Sequence, residues 1–123
     1  MIWRAAVLVS VLAITFGCGD EAPPTPGPEE QALRTLEQEA SAAVREQVLR
    51  TCDKWKRLDG APCVDDDVRR DQLACWLEKG LPRLRAFLKQ KVRPRARDRG
   101  VMRAHNLCME KRAWRFVEFS GYF

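Results

Sequence analysis

Five cysteines and one histidine are the side chains of this chain best suited to metal or redox chemistry. His105 and Cys108 lie three residues apart, a spacing that would present both side chains on one face of a helix as two metal ligands. The chain contains no C-x-x-C, haem-attachment or H-E-x-x-H motif that would complete such a site. The sequence therefore predicts neither a bound metal nor a cofactor.

The four cysteines that follow the N-terminal segment are Cys52, Cys63, Cys75 and Cys108, and an even number in an exported chain predicts two disulfides. A Cys63–Cys75 bond is disfavoured, because about three helical turns, near 14 Å, would separate residues whose Cα atoms must come within roughly 7 Å. Two pairings stay open. Cys52–Cys75 with Cys63–Cys108 is one. Cys52–Cys63 with Cys75–Cys108 is the other, slightly favoured because Cys52 and Cys63 are close in sequence.

Nucleophilic catalysis has little support in the sequence. Ser41 falls within a predicted helix and Ser120 near the C-terminus, and neither lies in a local catalytic signature. A Cys–His pair would need a free thiol, which the predicted disulfides do not leave. We therefore predict no catalytic residues and a protein that is not an enzyme.

A basic stretch is the strongest surface signal in the sequence. Its cations are Lys89, Lys91, Arg93, Arg95, Arg97, Arg99 and Arg103. Arginine dominates, and its guanidinium binds phosphate or carboxylate through two parallel hydrogen bonds. In an exported protein the expected ligands are anionic lipid, lipopolysaccharide or an acidic protein face, and no nucleic acid partner is expected.

The alternative for this stretch is a solvated connector that neutralises the acidic half of the same protein. Residues 20–78 contain fourteen acidic and eight basic side chains, whereas residues 79–115 contain two acidic and thirteen basic ones. Such an asymmetry bears on partners and solubility rather than on fold.

The first seventeen residues are typical of an export signal. Arg4 supplies a positive charge, and Ala5 to Phe16 form a short apolar run that small residues follow. About a dozen apolar residues are too few for a membrane-spanning helix, which needs roughly 20. We therefore predict a removable signal over residues 1–17.

Gly17-Cys18 resembles the end of the lipobox of bacterial lipoproteins, in which the cysteine becomes the lipidated N-terminus. The resemblance covers the signal segment alone, and Thr15 and Phe16 stand where a typical lipobox has an aliphatic and a small residue. It implies lipid on Cys18 and a membrane-anchored place in the bacterial cell envelope. Ordinary cleavage after Gly19, which would leave a soluble periplasmic or secreted protein, is the alternative.

Residues 18–28 are rich in proline, glycine and acidic side chains, a composition that predicts an extended tether. Residues 29–123 then suit a single domain, small enough that disulfides are expected to support its core. Apolar spacing predicts an all-α fold, a small bundle of three to four helices stapled by two disulfides.

The predicted helices have these bounds. The first runs from Glu29 to about Leu58, because apolar residues recur there at steps of three and four. The second begins at Asp65-Asp66-Asp67, whose carboxylates suit the positive end of a helix, and stops at Gly80.

A third helix is predicted with Pro82 in its first turn, and Pro94 ends or kinks it. Arg93 to Arg99 is then interpreted as a charged connector. Asp98 is a candidate cap for a fourth helix that extends from about Arg99 to Val117.

These features favour a small exported binding or scaffolding module, held at a membrane by its N-terminal lipid and engaging an envelope protein not specified by the sequence. One alternative is a binder of anionic surfaces through residues 89–103. Another is an inhibitor or immunity-like protein that caps an enzyme or toxin.

Overall fold

A computed structural model describes residues 27–117 of the chain. The predicted export signal, Cys18 and nearly all of the predicted tether lie outside these residues. The elements are α1 (Pro28–Glu39), α2 (Ala42–Val48), β1 (Trp55–Arg57), α3 (Asp65–Cys75), a π-helical turn (Trp76–Gly80), α4 (Leu81–Lys89), α5 (Pro94–Lys111) and β2 (Trp114–Phe116). The predicted all-α fold with two disulfides is confirmed. Within residues 27–117, no helix has both the length and the apolar character needed to cross a membrane.

The predicted single helix from Glu29 to Leu58 is wrong, because the chain breaks at Ala40. Ala40 adopts extended backbone angles after α1, and the Ser41 hydroxyl accepts a hydrogen bond from the Val44 N–H at the start of α2. Serine favours this position because its oxygen satisfies an N–H group that has no partner within the helix. Beyond α2 the chain turns into β1 instead of continuing as a helix.

The second helix begins at Asp65 as predicted, but it does not stop at Gly80. Gly80 has helical angles (φ −70°, ψ −53°), and the π-helical turn leads directly into α4. The Leu81 N–H donates to the Trp76 carbonyl across the π-helical turn, and Pro82, which has no N–H, follows in the first turn of α4. A Cβ added at Gly80 would lie 2.7 Å from Trp76 Cε3, so glycine is required here for packing rather than for ending the helix.

The connector predicted over Arg93 to Arg99 is also wrong, because α5 already begins at Pro94. Proline is well tolerated at the first helical position, where its missing N–H would have no partner in any case. Asp98 therefore lies inside α5 and caps nothing. The turn that joins α4 to α5 contains Lys91, which has a positive φ of 56°.

The predicted fourth helix is too long at its C-terminal end. α5 ends at Lys111, and Ala113, with a φ of 73°, turns the chain into β2. β2 pairs antiparallel with β1, which places Trp55 opposite Phe116 with ring centroids 5.0 Å apart. The small ribbon thus closes the C-terminal end of the described chain onto the segment before α3.

Two clusters of buried side chains form the core. The larger one joins α1, α2, the continuous α3–α4 helix and α5 around Leu36, Trp76 and Met102. The smaller one packs Trp55 and Trp114 of the ribbon against the Cys75–Cys108 disulfide. The second disulfide, Cys52–Cys63, closes the loop that contains β1. The structure therefore has the pairing that the sequence slightly favours.

Candidate anion-binding site

A surface cavity of about 300 Å³ lies between α4 and α5. We call it the arginine groove. It is lined by Arg83, Phe87, Ala96, Arg99, Gly100, Arg103, Ala104 and Leu107. Three arginines thus line a cavity whose remaining walls are apolar or small.

The floor of the arginine groove is built by close approach of the two helices. A Cβ added at Gly100 would lie 2.5 Å from Phe87 Cε2, so the Phe87 ring rests directly on the α5 backbone. The Arg83 guanidinium lies over the same ring, 5.8 Å from its centroid, in cation–π geometry. Phe87 therefore supports Arg83 through its ring face, and no hydrogen bond joins the Arg83 guanidinium to another side chain of residues 27–117.

None of the three arginines of the groove makes an ion pair with an acidic residue of the part of the chain described, residues 27–117. Arg99 and Arg103 are four residues apart on α5, a spacing at which like charges repel. Arg83 lines the same cavity, so three positively charged side chains surround its apolar walls. Such a concentration of positive potential is the electrostatic character of an anion site.

Several carboxylates elsewhere in the domain have arginine partners of their own. Glu39 binds Arg85 at 2.8 Å, and the hydrogen bond from Arg85 holds the pKa of Glu39 below its usual value. Arg112 bridges Asp71 at 3.0 Å and Glu78 at 2.9 Å. These three acidic side chains are thus paired with arginines outside the basic stretch.

Asp98, the acidic residue within the basic stretch, also has a hydrogen-bond partner. Asp98 Oδ2 accepts a hydrogen bond of 2.9 Å from the Ser41 hydroxyl. Between residues 27 and 117, no ion pair joins a cation of the basic stretch to a carboxylate. The alternative of a connector that neutralises the acidic half therefore has no contact to support it in this part of the chain.

The seven cations predicted from sequence separate into three groups. Arg99 and Arg103 line the arginine groove. Arg97 is half-buried, and its Nε has no hydrogen-bond partner among residues 27–117. The basic rim, as we call it, consists of the exposed side chains Lys89, Lys91, Arg93 and Arg95. It surrounds the α4–α5 turn, at the end of the groove marked by Phe87 and Ala96.

Arg83 is the candidate site residue that the charge pattern of the sequence does not indicate. It lies six positions before the basic stretch, so a count of charge along the chain does not include it. The signal that could have found it is its spacing of four from Phe87 in a helix, which pairs a cation with an aromatic ring on one face.

His105 and Cys108 do not form the pair of metal ligands considered from their spacing. Cys108 is bonded to Cys75, and the His105 ring is completely buried with its Nε2 hydrogen-bonded to Gln72 Oε1. Burial lowers the pKa of His105 to about 3, so the ring is neutral at physiological pH. No cluster of three or more His, Cys, Asp or Glu side chains that could hold a metal occurs in residues 27–117.

Comparisons of the chain with family models, with curated proteins and with solved structures found no significant match.

Proposed function

We propose that this protein is a small exported module, anchored in the bacterial envelope by lipid on Cys18, that docks its α4–α5 face on an anionic surface. One observation carries the proposal. The basic rim and the arginine groove share one end of the domain, and within the described residues their cations have no acidic partner.

The expected strength of docking follows from the charges of the rim. Each basic side chain near an anionic membrane surface contributes about 1 kcal/mol, and the attraction fades beyond a Debye length of about 10 Å at 0.1 M salt. The predicted tether, at roughly 3 Å per residue, would keep the domain within a few tens of Å of its anchor. Weak, salt-sensitive attraction is therefore enough to orient a domain that is already held close.

The test uses a chain from Gly19 to Phe123, which retains both disulfides and both core clusters and carries no lipid. It is mixed with vesicles of phosphatidylcholine, with and without phosphatidylglycerol, and binding is measured by sedimentation. We expect binding only to the anionic vesicles at low salt and release as salt rises. Replacing the four rim cations with glutamine should remove most of this binding.

A matched control removes the same amount of charge from other exposed positions, and its substitutions are Lys56→Gln, Arg69→Gln, Lys111→Gln and Arg115→Gln. This control should retain most of the binding. If the rim variant and the control lose equal amounts of binding, the binding depends on net charge alone. This result would contradict docking by one face. Failure of the unmodified chain to bind at low salt would leave a protein partner as the ligand of this module.

A further inference from the structure

We infer that the arginine groove binds the phosphomonoester headgroup of a membrane lipid. This inference rests on the proposed docking function and names the specific ligand within it. The basic rim supplies attraction to any anionic surface, whereas the arginine groove has the geometry to select one kind of headgroup.

Charge and oxygen count favour a phosphomonoester over the other common anions. Arg83, Arg99 and Arg103 bring three positive charges to one cavity. A carboxylate or a phosphodiester offers one negative charge and two free oxygens. A phosphomonoester offers a charge of about −1.5 to −2 and three acceptor oxygens, so each guanidinium can bind an oxygen of its own.

The size of the groove suits a headgroup rather than a large molecule. A cavity of about 300 Å³ holds a phosphate with a few attached carbon atoms. The Phe87 ring fills the space that a side chain at residue 100 would need, and Gly100 makes room for it. The ring therefore limits the depth of the groove.

The apolar walls and the neighbouring rim favour a lipid as the source of the phosphate. Leu107 lines the groove and is 52% exposed, and Phe87 forms its floor. A soluble phosphate would leave these carbon surfaces in water, whereas the glycerol and first methylene groups of a lipid would cover them. The rim, at one end of the groove, would contact the surrounding headgroups.

The experiment compares two kinds of vesicle at equal measured surface charge, one with phosphatidic acid as the monoester and one with phosphatidylglycerol as the diester. The protein is again the unlipidated chain from Gly19 to Phe123. We expect binding to phosphatidic acid to be about tenfold tighter than binding to phosphatidylglycerol, because one additional charge-assisted hydrogen bond contributes about that factor. Arg83→Gln and Arg103→Gln should each abolish this preference, while binding to phosphatidylglycerol should fall only by the roughly fivefold that the loss of one positive charge near the surface explains.

Two further variants separate geometry from charge. Arg103→Lys keeps the positive charge but loses the two-pronged hydrogen bonding of arginine, so the preference should still fall severalfold. Arg95→Gln, in the rim, should weaken binding to both vesicles equally and leave their ratio unchanged. Arg83, Arg95 and Arg103 are exposed, and circular dichroism of each variant should match that of wild type.

Failure of this inference can be distinguished from failure of the proposed function. Equal binding to both vesicles overturns the phosphomonoester site but leaves docking by the rim intact. Preference for phosphatidic acid that persists in the groove variants overturns the assignment to these arginines. Glycerol phosphate should displace the protein from phosphatidic acid vesicles only when it is in large excess, and displacement at a concentration equal to that of the accessible phosphatidic acid, with the same dependence on Arg83, overturns the lipid source.

Discussion

The Ser41 hydroxyl donates a hydrogen bond of 2.9 Å to Asp98 Oδ2 across 57 residues of sequence. The same oxygen accepts a hydrogen bond of 3.2 Å from the Val44 N–H. One side chain therefore starts α2 and ties it to α5, near the helical turn that carries Arg99. The break between α1 and α2 is thus fixed by both local and tertiary contacts.

Ser41→Ala should lower the free energy of unfolding by about 1–2 kcal/mol, because it removes a helix cap and a partner of a partly buried carboxylate. Urea unfolding measures the change. Ser41→Thr, which keeps the hydroxyl, is the matched control and should cost much less. A double-mutant cycle with Asp98→Ala should show coupling of at least about 0.5 kcal/mol, and strictly additive effects would contradict the tertiary role of this contact.

Ser41 also shows where prediction from sequence fails for the fold. The apolar stripe from residue 29 onward continues through Ser41 without a proline or glycine, so periodicity alone predicts one helix. The deciding partner, Asp98, is distant in sequence and cannot be found from local spacing. By contrast, the start of α3 was predicted correctly because three consecutive aspartates are a local signal that needs no partner.

His105 is buried without charge, and this should make stability depend on pH. The folded ring has a pKa of about 3, whereas an exposed histidine has a pKa near 6.5. Between these values the unfolded chain binds a proton that the folded chain does not, so stability falls as pH falls. The loss from pH 7 to pH 5 should be about 2 kcal/mol.

The pH 7 to 5 window separates His105 from the carboxylates of the domain. Glu39, Asp53 and Asp59 have lowered pKa values, and their contributions are lost only as pH falls through and below their ordinary values of 4.5 and 3.8. His105→Gln should therefore flatten the pH dependence of unfolding in this window, whatever its effect at pH 7. A proton NMR titration in which the His105 ring shifts near pH 6.5 would disprove the buried neutral state.

Gly80→Ala should destabilise the protein although alanine is the better helix former. An added Cβ would lie 2.7 Å from Trp76 Cε3, and Trp76 is completely buried and held by a 2.8 Å hydrogen bond from its Nε1 to Thr35 Oγ1. We expect a loss of about 1–3 kcal/mol in urea unfolding. Lys79→Ala, at the exposed neighbouring position, is the control and should change stability by less than about 0.5 kcal/mol. Stabilisation by Gly80→Ala would show that the ring moves freely.

The two disulfides should differ in both stability and accessibility. Cys75–Cys108 spans 33 residues and lies in the smaller core cluster, whereas Cys52–Cys63 spans 11 residues and is only half-buried. Loop-closure entropy predicts losses of about 4 and about 3 kcal/mol when each pair is replaced by alanines. Timed reduction followed by alkylation should open Cys52–Cys63 first, and earlier labelling of Cys75 would contradict this order.

The candidate site was only partly predictable from sequence. Charge counting found the rim and two residues of the groove, because these cations are close together in the chain. The prediction that they lie on a connector is wrong, because Pro94 does not break a helix here and instead occupies the first turn of α5, where proline is well tolerated. Arg83 was missed because its place beside Arg99 and Arg103 depends on how α4 packs against α5, which spacing within one helix does not determine.

Cys18 is predicted to carry lipid, and the pairing of the other cysteines supports this prediction. Cys52, Cys63, Cys75 and Cys108 are bonded to one another, which leaves Cys18 without a partner among them. An odd cysteine in an exported chain requires a separate explanation, and the resemblance of Gly17-Cys18 to a lipobox provides one. The intact mass of protein extracted from membranes should show acyl chains on Cys18. Cys18→Ser should abolish both the added mass and membrane retention, because stable anchoring needs at least two membrane signals and this variant keeps only the basic rim. A mature N-terminus at Asp20 with no added mass would instead establish ordinary cleavage, and the basic rim would then have to act without an anchor.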